Sequence, residues 1–253
     1  VRKVNAETWH FSTTFGNATL HAALFLRDAF HLKPDDEDDL PPRLMGDVPN
    51  LSPLVPGFDP YEAALAWPRW WERTVEYEGA LALGEFKGDN LRDIDAARAR
   101  VFDPPSFVSM KDAPSLRSLA QAAHREALRW SKYHSSSANA ALQRGARSSV
   151  VSRVAWETCA SLHVKPSSLR ATVVVLDVEG SWRSAPRPGL LLCSANVLRK
   201  ESLFAEYLRE TFLENLGRDA APKGSSWPFD QILHDVDDIY STEFYEGDET
   251  PLR

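Results

Sequence analysis

Near the start of the chain, Trp9, Phe11, Thr13 and Phe15 alternate with His10, Ser12 and Thr14. That period of two predicts a short strand. Gly16 and Asn17 end it, and Asn17 is placed to cap a helix reaching about Leu32. Further on, Asp59-Pro60 sets a cap and then a proline at the first helical position. In the helix that follows, Trp67, Trp71 and Val75 lie four apart, with Trp70 and Tyr77 alongside, and Pro68 is expected to kink or restart it. Between Ser115 and Tyr133, Leu116, Leu119, Ala123, Ala127 and Trp130 form one apolar stripe. Arg117, Arg125, Arg129 and Lys132 fall on the other side of the same predicted helix. Residues 148–162 continue as helix.

The pattern then changes. Ala171–Val178 is apolar and β-branched, Leu190–Ala195 is a second apolar run, and Glu179–Gly189 between them is polar. This predicts an antiparallel hairpin over about 171–195, packed against helices. The next segment pairs Leu203/Phe204, Tyr207/Leu208, Thr211/Phe212 and Leu216 at helical spacing, with Ser202 as cap and Gly217 as stop. Residues 33–60 hold seven of the seventeen prolines and the acidic run Asp35–Asp39, which predicts a long proline-rich loop. Beyond Lys223 come eight acids and no base before Arg253. The expected fold is therefore α+β: mainly helical, with a small, largely antiparallel sheet. One domain is expected over residues 1–222. The acidic, aromatic-containing tail 223–253 is expected to pack on it through Trp227 and Phe229.

Composition agrees with a globular body, at 43% apolar and 26% charged residues, and eight Trp with twelve Phe require an aromatic core. No stretch approaches the roughly 18 apolar residues of a membrane helix, and the N-terminus has no secretory h-region. Cys159 and Cys193 are too few for a disulfide framework and lack metal-type spacing, so a soluble protein of the reducing cytoplasm is expected. Arg outnumbers Lys 21 to 8 and there are three Ile, a bias that a GC-rich bacterial genome produces by codon usage. The net charge of −7 is unevenly spread. Residues 111–200 carry 14 bases and 5 acids, whereas residues 201–253 carry 4 bases and 13 acids.

The string Val173–Gly180 (VVVLDVEG) ends in two carboxylates that period two puts on one face. It resembles the first motif of DEDD-type 3′–5′ exonucleases, and His234-Asp235-Val236-Asp237-Asp238 is similar to the later His/Asp motif of that family. The resemblance spans fewer than ten residues and implies metal-dependent phosphoryl chemistry with Asp177 and Glu179 as ligands or acid/base groups. No HExxH, nucleophile elbow or phosphate-binding glycine loop occurs, and no cofactor or metal is expected. The expected function is a non-enzymatic interaction protein, an accessory, adaptor or immunity-like component acting through charged and aromatic surfaces. Arg69, Trp70, Arg73, Arg117, Arg125 and Arg129 are its candidate partner-binding residues. Its expected partner is a protein, with nucleic acid as a second option through residues 111–200 and no membrane. The alternative is a metal-dependent enzyme acting on nucleic acid or another anionic substrate through Asp177 and Glu179.

Overall fold

The computed structural model describes residues 9–15, 17–35, 40–86, 91–143 and 148–216, with the backbone alone at 91–93, 135–143 and 148. The tail 223–253 and its expected packing lie outside these residues. Strand β1 (His10–Phe15) leads into α1 (Ala18–Ala29), where the Asn17 side chain accepts the Leu20 N–H at 2.9 Å. Helix α2 (Pro60–Ala82) starts as its sequence requires, with the Asp59 carboxylate accepting the N–H groups of Tyr61 and Glu62.

Pro68 neither ends nor restarts α2. Burial around it holds the two halves together: Trp67 and Trp71 stack at 5.7 Å, and each of two indoles is tied to a neighbouring segment. Trp67 Nε1 donates to the Ala23 carbonyl and Trp70 Nε1 to that of Val101, both at 2.8 Å. A short helix that the pattern did not predict, α3 (Leu91–Ala99), follows. Helix α4 (Pro114–Gln143) runs longer than predicted and buries the expected stripe from Leu116 to Trp130, and α5 is Ser148–Leu162.

Three more strands complete the sheet: β2 (Arg170–Leu176), β3 (Arg183–Arg187) and β4 (Leu190–Ser194). The chain then ends its described part in α6 (Ala195–Arg199) and α7 (Glu201–Leu216). The strand order is β1-β2-β4-β3. The sheet is mixed, which corrects the expected largely antiparallel one: β1, β2 and β4 are parallel neighbours, and β3 alone pairs antiparallel, with β4. The hairpin is real but belongs to β3 and β4. The polar stretch read as a connection is its outer strand, and β2 lies beside β4 rather than forming the hairpin with it.

The physical reason is burial on both faces. Val174, Leu176 and Val178 pack in the core shared with α1, α2 and α4. Ala171, Val173 and Val175 pack in the core shared with α5 and α7. A continuous apolar run is the signature of such a covered parallel strand, whereas a half-solvated hairpin alternates. Two glycines permit close approaches. A Cβ on Gly79 of α2 would meet Leu190 Cδ2 at 2.7 Å, and Gly189 (φ +80°) turns the β3–β4 hairpin against Asn215 of α7.

The proline-rich loop is strapped down by two adjacent charges at the end of α1. Arg27 donates to the carbonyls of Pro41 and Pro42 and pairs with Asp28 at 2.8 Å, both side chains being buried. Asp28 accepts the Leu44 N–H at 2.7 Å, and Leu44 then bridges to Val178 beyond the end of β2. Each charge thus has its hydrogen-bond partners, which buried charge requires. Among the described residues no helix is long and apolar enough to cross a membrane.

Cys159 and Cys193 are buried and unbridged, and burial pushes the Cys193 thiol up to about 12. Cys193 should therefore resist thiol reagents in the native protein and react only on denaturation; fast native labelling of both would contradict this placement. Helix α7 supplies Phe204, Leu208 and Phe212 to the core, each with no solvent exposure. Phe204→Ala or Phe212→Ala should cost about 3–5 kcal/mol in denaturant melts.

Candidate functional site

Helix α2 has an outer face as well as a buried one. Its positions Glu62, Leu65, Ala66, Arg69, Trp70 and Arg73 form one wall of a cleft of about 310 Å³. The other wall comes from the segment entering α4: Ser109, Met110, Asp112, Ala113 and Leu116. That volume is at the lower end of ligand pockets, roughly 300–1,000 Å³. Leu65 in the α2 wall is about half exposed, and Tyr61 and Val108 are exposed large apolar residues on the same two segments.

Both walls are built to hold still. At one end Glu62 accepts the Ser115 N–H at 3.1 Å while Ser115 Oγ accepts the Asp59 N–H at 3.3 Å, so the starts of α2 and α4 are tied to each other. The loop forming the far wall is organised by Asp103. Its carboxylate accepts from Val108 N–H at 2.7 Å, from the Ser109 N–H and hydroxyl at 3.3 and 2.5 Å, and from the Ser106 hydroxyl at 3.2 Å. Partial burial works to raise the Asp103 pKa, but these hydrogen bonds outweigh it and hold the carboxyl below its ordinary value of 3.8. The lock sustains Phe107 at φ +46°, a left-handed conformation unfavourable for an aromatic residue, with the ring fully buried.

The predicted partner-binding residues divide. Arg69 and Arg73 line the cleft one helical turn apart, both exposed, and neither makes an ion pair or hydrogen bond among the described residues. Trp70 belongs to the core, at 1% exposure, and its edge alone reaches the cleft, so it is corrected from surface anchor to scaffold. Arg117 is also a scaffold residue: with Gln121 it holds the Ser106 carbonyl, at 3.0 and 2.9 Å. Arg125 and Arg129 are exposed elsewhere on α4, and Arg129 pairs with Glu126.

The basic middle of the chain is partly neutralised by folding. Arg153 pairs with Glu201, Arg183 with Glu210, and Arg187 with Glu76 and Glu85. Each of these acids comes from outside residues 111–200.

Asp177 and Glu179 follow β2 in an extended segment held by Met45 N–H to the Asp177 carbonyl and Glu179 N–H to the Arg43 carbonyl, both at 2.8 Å. Val178 between them is buried, Asp177 is half-buried and Glu179 is exposed. Burial raises the Asp177 pKa against the opposing influence of His134 and Arg199. The neighbouring His21 is structural. Its Nδ1 donates to the Asn17 carbonyl at 2.8 Å and its Nε2 accepts the Asp177 N–H at 3.2 Å, while burial lowers its pKa. Among the described residues no group of three or more His, Cys, Asp and Glu is arranged to hold a metal ion. The exonuclease-like motif therefore gains no third ligand there; His234–Asp238 lies outside the described residues.

Sequence reasoning missed Leu65, Met110 and Asp103. Leu65 had a signal, as an apolar residue off the buried stripe of α2. Asp103 had another, with serines three and six positions on. Comparison with protein-family models, curated proteins and solved structures finds no match to this chain.

Two predictions follow from the carboxylates. Asp103 has a depressed pKa, so its contribution is present above the ordinary value and lost as pH falls through the lower folded one. Asp103→Ala should cost about 1–3 kcal/mol in denaturant melts at neutral pH, the order expected for hydrogen bonds to a charged group. That difference should narrow as pH falls below 3.8 and through the lower folded value, because protonation removes the charged part of the carboxylate's hydrogen bonding. Asp177 is the opposite case, because with a raised pKa its ionisation opposes folding above the folded value. Stability should rise as pH falls through that value toward 3.8, and Asp177→Asn should leave the neutral-pH melting temperature unchanged or higher. A clear fall in melting temperature would show that the ionised carboxylate is needed by the fold.

Proposed function

We propose that this protein is a non-enzymatic interaction module whose α2–α4 cleft binds an acidic peptide segment carrying apolar side chains. The observation that carries this reading is the pair Arg69 and Arg73, exposed and without partners among the described residues, in a cleft also lined by the apolar Leu65 and Met110. Elsewhere the arginines Arg27, Arg117, Arg129, Arg153, Arg183 and Arg187 are engaged by carbonyls or carboxylates. A guanidinium suits carboxylates because its fork can donate two parallel hydrogen bonds. The preorganised far wall supports binding too, since a surface already held in place loses little freedom when occupied.

The test is fluorescence anisotropy of the full chain with a labelled synthetic peptide bearing two Asp four positions apart and Leu on the same helical face. Charge reversal of both arginines, Arg69→Glu with Arg73→Glu, should weaken binding by about tenfold or more, equivalent to about 1.4 kcal/mol. The melting temperature should barely move, because both side chains are exposed and unpaired. Reversal of Arg125 and Arg129 should change binding little. Affinity should fall with salt as screening shortens to about 10 Å at 0.1 M. Robust Mg²⁺- or Mn²⁺-dependent degradation of single-stranded DNA or RNA, abolished by Asp177→Asn, would overturn the reading in favour of the enzyme.

A further inference from the structure

The cleft runs along α2 from Glu62 to Arg73, about 17 Å at 1.5 Å per residue. A groove of this length, with the apolar Leu65 and Ala66 along α2 and two arginines toward one end, suits an amphipathic helix whose anchors recur every three or four residues. One segment of the chain has that pattern. Phe229, Ile232, Leu233, Val236, Ile239 and Tyr240 recur at helical spacing, interleaved with Asp230, Asp235, Asp237 and Asp238. No Lys or Arg lies between Lys223 and Arg253, so the segment complements two unpaired arginines.

The path of the chain brings this segment within reach. Helix α7 ends at Leu216, and the residue before it, Asn215, lies against Gly189 at the β3–β4 turn. The next residue, Leu190, touches Gly79 of α2. The chain therefore leaves α7 close to the helix that carries the cleft. From Gly79 to Arg73 is about 9 Å along the helix axis, while the twelve residues between Leu216 and Phe229 extend to about 40 Å.

We propose that the α2–α4 cleft is the docking site of the chain's own segment Phe229–Tyr240, whose apolar side chains lie on Leu65 and Met110 and whose carboxylates meet Arg69 and Arg73. This rests on the reading of the cleft as an acidic-peptide site. It adds regulation to that reading, because an external acidic segment must displace the internal one.

Limited proteolysis of the full chain with a protease cutting after aromatic residues, followed by mass spectrometry, tests it. Cleavage within Phe229–Tyr240 should be slow in the wild type. It should accelerate about tenfold or more when Arg69→Glu is combined with Arg73→Glu, as expected when a local closed state is lost. Leu65→Asp, which alters the apolar lining rather than the arginines, should accelerate it similarly. Combining the arginine reversals with Asp235→Arg and Asp238→Arg should restore protection.

Protection should not depend on protein concentration; protection that grows with concentration would assign the cleft to a second copy and overturn the proposal. Equal cleavage in wild type and the Arg69/Arg73 double variant would also overturn it. In that second case, continued dependence of external peptide binding on the two arginines would leave the interaction reading standing. Loss of both responses would remove both.

Discussion

A strand covered on both faces has no solvent side on which to place polar residues, and β2 is such a strand. From Ala171 to Leu176 every residue is buried, and the side chains alternate between two separate cores. Because both faces must be sealed, helices are needed on both. Helices α1, α2 and α4 close one face, α5 and α7 the other. The same constraint decides the sheet order. The polar strand β3 cannot occupy the middle and takes the edge, where Arg183 and Arg187 reach acids on α7 and around the end of α2. Charge and proline on an edge strand also discourage pairing with another chain.

Folding rearranges the charge that the linear chain segregates. The basic middle meets acids from both flanks in pairs that are mostly exposed, each worth little alone at roughly 0–1 kcal/mol. Their significance lies in what they remove from the surface, since an arginine already facing a carboxylate is a poorer site for another anion. Arg69 and Arg73 differ from these because their helix turns them toward a cleft, where neither makes an ion pair among the described residues. The buried Arg27–Asp28 pair has another use. It binds the proline-rich loop by its carbonyls and N–H groups, fixing the strap that meets the end of β2.

The cleft owes its shape to interactions that look local but have distant effects. Trp67 and Trp70 secure α2 to α1 and to Val101, so the outer face of α2 is presented at a fixed angle to α4. On the opposite wall, Asp103 gathers donors from three following residues and sustains a left-handed Phe107 whose ring packs on Phe102 and His124. Such strain persists where the surroundings over-determine it. Arg117 and Gln121 add two more bonds to the same loop. These contacts hold Ser109 and Met110 in the cleft that Arg69 and Arg73 also line.

Sequence alone determined the elements whose signals are local. The Asn17 and Asp59 caps, the apolar stripe of α4 and the double column of α7 all depend on residues three or four apart, so they are visible before folding. It also marked Arg69 and Arg73, though on the same footing as Trp70, Arg117, Arg125 and Arg129. The direction of β2 relative to β4 was a tertiary decision, because an apolar run reads alike whichever neighbour it takes. Trp70 as scaffold rather than surface was another, since an aromatic residue at helical spacing shows its face only once its partners are placed. The cleft itself was a third. It joins residues about forty positions apart, and what sets Arg69 and Arg73 apart is that both line this cleft without an ion-pair partner among the described residues, a property of three-dimensional neighbours that no local pattern encodes.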